Sequence, residues 1–525
     1  MSTLTTVERP NDLSPESIEY PVVRTEQMNR NCLLAFSPFL FGILFFAGCA
    51  SMLQRPVTHT TPTPEEFGKI FPEQELKSDL HMLMETLEAV HPSLYAYTSK
   101  SEIDSLRRDL EEHLTTPMAR REFYFKIAPL VARIGDGHTS VRVPWEEYSH
   151  FRSREGGLAF PFNIAFDSLA GVTITRNYSN DSVVSVGDHI LSINGRSADS
   201  LFAFFLHGFS GERMVFRQQN VAGSLRLLLW LNKVCAPYDL IVRQRGGQNR
   251  IARHIEGVTL QDVLTSDSLF GMGSTILPDY RFERLQDSIG YIDFRSMSNL
   301  ERFEKFLSVI FADIRAHPIR GLVVDLRNNG GGDSQLGSAL LSFLTDSSYR
   351  MAERKEWRMS AQYKAYMRQM IPWWIRWFPF TWVSSDARHY FGAADGEIIV
   401  DSSLAEAPGE NPLRYRGRTC ILIGPGTFSS AMMLSDAIAD YRIATLIGEE
   451  TGGIPTAYGE VYSFDLPNTK LSTGVSSAFY VRANGNRSDR RGIMPDIEVH
   501  QTETDARSAK DTVLERAKLW ILGGR

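Results

Sequence analysis

The chain has 525 residues, of which 43% are hydrophobic and 22% charged, with a formal net charge of −6. That balance excludes disorder, collagen-like repeats and disulfide scaffolds, and a mildly acidic chain with no long basic run lacks the electrostatic footprint of a general nucleic-acid binder. The length suggests about three domains at ~150 residues each, and four cysteines without a CxxC pair argue against a disulfide framework or a cysteine-based zinc site.

The stretch from Cys32 to Gly48 carries no charge and follows Arg24 and Arg30. A positive start before an apolar run is the layout of a secretory signal, and Met28 reads better than Met1 as its start. The run falls slightly short of the ~20 residues a membrane span needs, so an uncleaved anchor is the competing reading. It ends in Phe46-Ala47-Gly48-Cys49, which resembles the lipobox of bacterial lipoproteins. That resemblance implies lipidation of Cys49, attachment to a membrane through the lipid, and a place in the bacterial cell envelope, on the periplasm-facing outer membrane. Residues 1–48 are therefore read as a signal segment and 49–64, with its Thr/Pro run from His59 to Pro64, as a tether.

Beyond the tether, apolar residues at Leu76, Leu80, Leu83, Leu87 and Val90 step by four and three, which predicts an amphipathic helix. Further helices are expected from Ser101 to about Leu114 and from Arg120 to Arg133, making 65–140 a helical cap domain. It closes on Gly135-Asp136-Gly137-His138-Thr139, a glycine-flanked histidine. From 156 to 256 the pattern changes to short β-like runs such as 171–175 and 239–242. Within them, Val186-Gly187-Asp188-His189-Ile190-Leu191-Ser192-Ile193-Asn194-Gly195 resembles the GDxIxxING signature of PDZ domains, which implies a β-rich module that binds extended peptide at a sheet edge.

From 285 to 500 apolar strands alternate with helices: strands at 289–294, 321–326 and 419–423, helices at 300–316 and 336–344. Such alternation indicates an α/β layer domain, followed by a C-terminal helical segment at 501–525. The strand at 321–326 runs into Asn328-Asn329-Gly330-Gly331-Gly332-Asp333, where backbone can approach a ligand closely and successive N–H groups can hold an anion. Residues 371–383 carry half of the chain's eight tryptophans and read as a lid, a membrane-contacting patch or a packing insertion. The strand at 419–423 leads through Gly424-Pro425-Gly426-Thr427-Phe428 to Ser429 and a helix reaching about Asp440. A serine at such a turn has an exposed hydroxyl beside the free N–H groups of the helix.

Taken in order, the DGHT loop, the PDZ-like module, the Asp325-to-Gly332 strand-turn, the run from Thr427 to Gly453 and Arg490-Arg491-Gly492-Ile493-Met494-Pro495-Asp496 resemble the tail-specific, or C-terminal processing, serine peptidases. The resemblance implies a crotonase-like (ClpP/crotonase-type) α/β core with an N-terminal helical cap and an inserted PDZ-like domain, acting on peptide or protein substrates without cofactor or metal. It assigns Ser429 as nucleophile. Many members use a lysine as base, but Ile454 holds that position here, and an aliphatic side chain accepts no proton. The tricorn-like alternative, a histidine from the cap, maps to His138. The orienting acid maps to Asp489, with Glu449 and Asp136 as rivals, and the oxyanion hole to the Ser430 N–H with Gly331 or Gly332. The competing function is a non-catalytic peptide- or apolar-ligand-binding protein on the same scaffold.

Overall fold

The structure, a computed structural model, describes residues 62–167, 171–269, 278–370, 385–501, 505 and 510–523. Cys49 with the signal segment, and the Trp-rich stretch 371–383, lie outside the described residues. Among those described, no helix is long and apolar enough to cross a membrane.

The heptad-like spacing near the start does form a helix, α1 (Glu73–Val90), whose buried face includes Leu76, Leu80, Leu83, Leu87 and Val90. It begins three residues before the first periodic leucine because Pro72 ends the extended entry and Glu73 and Glu75 occupy the first turn, where carboxylates complement the helix dipole. Helix α2 (Lys100–His113) starts at Ser99, whose hydroxyl accepts the Glu102 N–H, as an N-cap should. Helix α3 (Arg120–Ala132) delivers the chain to the DGHT loop.

The next region holds β1 (Phe162–Asp167), β2 (Gly171–Asn177), β3 (His189–Ile193), β4 (Tyr238–Arg243) and β5 (Arg250–Ile255), paired antiparallel in that order. The Gly187-Asp188 and Asn194-Gly195 turns are chemically fixed. Asp188 accepts the N–H groups of Ser185 and Arg245, each at 2.9 Å. Asn194, in a left-handed conformation, bonds Asp239 N–H and Cys235 C=O. Two helices between β3 and β4, α4 (Ala198–Leu206) and α5 (Met214–Leu231), were not expected in a β-rich stretch. Apolar residues lie all around α4, and α5 mixes Arg217, Gln218 and Asn220 with leucines without a clean stripe, so neither shows helical period. Their buried residues, among them Phe202, Phe205, Leu225 and Leu228, join those of α1 and α3 in one continuous core.

The C-terminal half contains β6 (Tyr280–Leu285), β7 (Ile289–Phe294), α6 (Leu300–Ala316), β8 (Gly321–Asp325), α7 (Ser334–Ser342), β9 (Arg354–Arg358), β10 (Ile398–Ser402), β11 (Thr419–Ile423), α8 (Ser430–Asp440), β12 (Thr445–Gly448), β13 (Ala457–Asp465), β14 (Ser472–Val481), β15 (Ile497–Glu498) and α9 (Thr512–Ile521). One sheet runs β6-β7-β8-β11-β12-β15, parallel except at β6. Its four central strands, β7, β8, β11 and β12, are buried on both faces, which is why they read as nearly unbroken apolar runs, whereas the edge strands β6 and β15 are partly exposed. Ile292, Val324 and Ile421 face α6, α7 and α8, while Tyr291, Val323 and Leu422 face α9. Arg327 fastens α9 to this sheet by pairing with both Asp325 and Asp511. A second sheet, β10-β9-β14-β13, takes the two-residue strand Ser140–Val141 as an extra partner of β14. That pairing brings the loop after α3 against the C-terminal half. Both described cysteines, Cys235 and Cys420, are free.

Candidate active site

Ser429 stands where β11 turns into α8. Its backbone has φ 52° and ψ −129°, a conformation that a side chain with a Cβ rarely adopts and that needs support from its surroundings. The support comes from the neighbouring Asn329 turn. Phe428 N–H donates to Asn329 C=O at 3.0 Å, Thr427 Oγ1 donates to Leu326 C=O at 2.8 Å, and Ser430 Oγ donates to Gly332 C=O at 2.7 Å. Gly331 is required there: a Cβ would lie 2.7 Å from Ser429 Cβ. Ser429 occupies the N-cap position of α8, yet its side chain makes no capping bond. Instead its Oγ lies 3.0 Å from His138 Nε2, 291 residues away in sequence.

His138 is brought there by Asp136, which is fully buried. One carboxylate oxygen accepts the His138 N–H at 2.9 Å. The other takes Thr139 Oγ1 at 2.5 Å and Ser476 Oγ from β14 at 2.6 Å, and lies 3.3 Å from His91 Nε2 beyond the end of α1. Ser210 Oγ, from the segment between α4 and α5, donates to the Asp136 carbonyl at 2.6 Å. Burial by itself would raise the Asp136 pKa. The hydrogen bond and charge of His91, the charge of His138 and the Ser476 hydroxyl outweigh it and hold the carboxyl well below the usual range. The His138 ring stacks on Phe428 at 4.7 Å between centroids, and Phe428 stacks on Phe216 of α5 at 4.1 Å.

The imidazole pKa is lowered, first by burial, against the opposing pull of Asp136, the Tyr458 carbonyl and Glu460. His138 is thus neutral near pH 7. With Nε2 facing the serine hydroxyl, the proton belongs on Nδ1. That nitrogen is buried without a well-formed hydrogen bond, and Asp136 Oδ1 is 3.9 Å from it.

Of the three acids weighed from sequence, only Asp136 is at the imidazole. Asp489 is not brought to His138: its carboxylate pairs with Arg482 at 3.1 Å and accepts the Arg491 N–H. Arg482 also binds Asp436 and Asp440 of α8, and this network holds Asp489 in its own loop. Glu449 pairs with exposed His500 at 3.1 Å. Two acids went unread in the sequence. Glu460 of β13 binds Lys355 and Tyr480 through Oε2 and leaves Oε1 buried without a partner. Glu212 accepts the Gly137 N–H at 3.2 Å. Neither sits in a motif, and only tertiary packing brings them near the histidine.

The oxyanion candidates separate as well. Gly331 N–H already donates to Asn329 Oδ1 at 2.9 Å, whereas the N–H groups of Gly332 and Ser430 make no hydrogen bond within the described residues. Ile454 is 1% exposed, a buried apolar side chain. Among the described residues, no group of three or more His, Cys, Asp or Glu side chains could hold a metal ion.

A serine hydroxyl held against a neutral imidazole, at the C-terminal edge of a parallel sheet and the start of a helix, is an arrangement suited to acyl transfer. Residues 288–499 match the family described as Peptidase family S41, and the chain carries a domain of that family. The fold agrees: the chain is similar to a mutant of CPAF (TM-score 0.58, 16% identity, 86% of this chain and 98% of that one). It is also similar to mature CPAF complexed with lactacystin (TM-score 0.55, 17% identity, 86% and 100%). No curated protein matches the sequence.

Proposed function

We propose that the protein is a serine endopeptidase that hydrolyses peptide bonds in peptides or unfolded protein segments through an acyl-enzyme. The observation that carries this reading is the 3.0 Å contact between His138 Nε2 and Ser429 Oγ, made inside a chain that bears an S41 peptidase domain. His138 takes the hydroxyl proton as Ser429 attacks the scissile carbonyl, forming the C–O bond. It then returns the proton to the departing amine as the C–N bond breaks, and water repeats the sequence to release the acid. The developing oxyanion would be met by the N–H groups of Ser430 and Gly332, a contribution of about 10²–10³ in rate per donor. Asp136 supports the imidazolium electrostatically and fixes the loop that carries it.

In this reading the sheet from β6 to β15 is a crotonase-like core, α1 to α3 form the cap, and β1 to β5 form a PDZ-like module presenting substrate. On the same reading, the apolar start and a lipidated Cys49 would attach the enzyme to a membrane of the bacterial envelope. A purely binding role is not favoured, because a strained turn and an imidazole contact serve no purpose in a serine that only caps a helix. The test is hydrolysis of unfolded casein or a quenched peptide library. Wild type should cut, and Ser429→Ala and His138→Ala should each lose at least about 10³ in kcat. Activity unchanged in Ser429→Ala would remove the mechanism.

A further inference from the structure

Glu460 lies in β13 with φ 60°, a left-handed conformation that a residue with a Cβ rarely adopts. The ladder to β14 passes over it: Gly459 faces Ala478 and Val461 faces Ser476, with no pair at Glu460 itself. Its side chain is 6% exposed. Oε2 accepts Lys355 Nζ at 2.8 Å and the Tyr480 hydroxyl at 2.5 Å, while Oε1 is buried without a hydrogen-bond partner among the described residues. Lys355 is held in turn by the Trp357 ring, 3.5 Å from its ammonium. A left-handed backbone and a half-unpaired buried carboxylate both cost stability, and neither is needed to build a strand.

The residue before it, Gly459, is where the imidazole packs: a Cβ there would lie 3.2 Å from the Tyr480 ring and 4.0 Å from His138 Cε1. Strand β14 reaches both acids in succession, Ser476 Oγ donating to the Asp136 carboxylate and Ser477 Oγ to the Glu460 carbonyl at 2.7 Å. Asp136 is not a close partner for His138 Nδ1, since its Oδ1 accepts the His138 backbone N–H and stands 3.9 Å from that nitrogen. Burial lowers the imidazole pKa, and the groups that oppose it are the Asp136 charge, the Tyr458 carbonyl and the Glu460 charge. Asp333, next to the oxyanion candidate Gly332, is raised by burial first and also by the charge of Glu460, so the field of this one carboxylate reaches both the base and the oxyanion turn.

We infer that Glu460 is a positioning residue for the base: its carboxylate, fixed by Lys355 and Tyr480, supports the positive charge that His138 acquires from the Ser429 proton and strengthens the imidazole as an acceptor. Glu460 keeps its own charge throughout and takes no proton. Burial makes a fixed charge of this kind effective, because little water screens it. The inference rests on the peptidase reading for what the base does, but its test does not require turnover. The intact chain is labelled with ¹³C at histidine Cε1, and the His138 resonance, identified by its loss in His138→Gln, is followed against pH. Glu460→Gln keeps the size of the side chain and removes its charge, so the His138 midpoint should fall by at least about half a pH unit. On unfolded casein its kcat should drop about tenfold with KM within about twofold.

Glu460→Asp retains the charge and should hold the midpoint within about 0.2 pH unit of wild type, with at least about half of kcat restored. The double variant Lys355→Met/Glu460→Met replaces the buried pair by apolar side chains and leaves no charge unpaired. It should move the midpoint in the same direction as Glu460→Gln, and it decides the matter if that variant does not fold. Asp136 with His91 behind it, Glu212 at Gly137 and Asp333 are the same in all of these proteins, so none of them supplies the shift. An unmoved midpoint in folded Glu460→Gln or in the double variant overturns the inference and leaves Glu460 a structural residue. Cleavage by wild type without a shift refutes the role of Glu460 alone. A shift without any cleavage by wild type refutes the peptidase reading alone.

Discussion

Ser429 is placed by the parallel sheet and its connections alone, whereas His138 is placed where three distant regions of the chain meet. The serine turn is tied to the adjacent Asn329 turn by Thr427, Phe428 and Ser430, all within the parallel sheet and its connections. The histidine loop depends on His91 beyond α1, Ser210 from between α4 and α5, and Ser476 from β14, all converging on Asp136. A nucleophile built locally survives changes elsewhere in the chain. A base built by convergence reports on the whole assembly, and the N-terminal helices and the inserted module become part of the catalytic apparatus through one buried carboxylate.

The largest effect that would break this contrast is expected at Asp136. Asp136→Asn removes a buried charge from four partners, which should cost about 3–5 kcal/mol in stability and lower kcat by about 10–10² as the histidine loop relaxes. Denaturant midpoints and initial rates measure the two together. Thr427→Val acts on the other side, leaving the Leu326 carbonyl and the Gly424 N–H without their hydroxyl partner. It should cost about 1–3 kcal/mol while leaving the pH dependence of kcat/KM in place. Should Thr427→Val move that pH profile and Asp136→Asn not, the two supports would have been assigned to the wrong sides.

The profile itself comes next in size. Burial holds His138 below the ordinary imidazole value. The neutral base therefore persists at mildly acidic pH, and kcat/KM should fall only beneath about pH 6.5, the value for a free imidazole. Removing the Asp136 charge takes away a group that favours the imidazolium, so the acid limb of Asp136→Asn should shift to still lower pH. The smallest effect is expected at Asp489. Because its carboxylate serves Arg482 and the Arg491 N–H, Asp489→Asn should change kcat by less than about threefold, with any loss appearing in thermal stability.

What could be read from sequence follows the same divide. The parallel strands are visible as continuous apolar runs because both faces are buried, and the Ser429 turn is visible because strand, glycines and helix lie consecutively in the chain. His138 is legible as a motif, though its distance to Ser429 is a tertiary fact. The second sheet left no such trace: β14 buries Thr473, Ser476 and Ser477 alongside Val475 and Ala478, so hydrophobic alternation does not mark it. The resemblance maps the orienting acid to Asp489 with Asp136 as a rival, and the choice between them is not legible locally, because Arg482, the partner of Asp489, is committed through contacts with α8 that no local pattern announces. Glu460 and Glu212 approach the site from strands and loops far apart in the chain.

The central claim is that Ser429 and His138 act as one unit, and reaction with a fluorophosphonate followed by mass spectrometry of the intact and digested protein tests it most directly. A single adduct on Ser429 in wild type, with labelling slowed at least about a hundredfold in His138→Ala, is the result this account predicts. An adduct at another residue, or Ser429 labelling at the same rate without the imidazole, would contradict it.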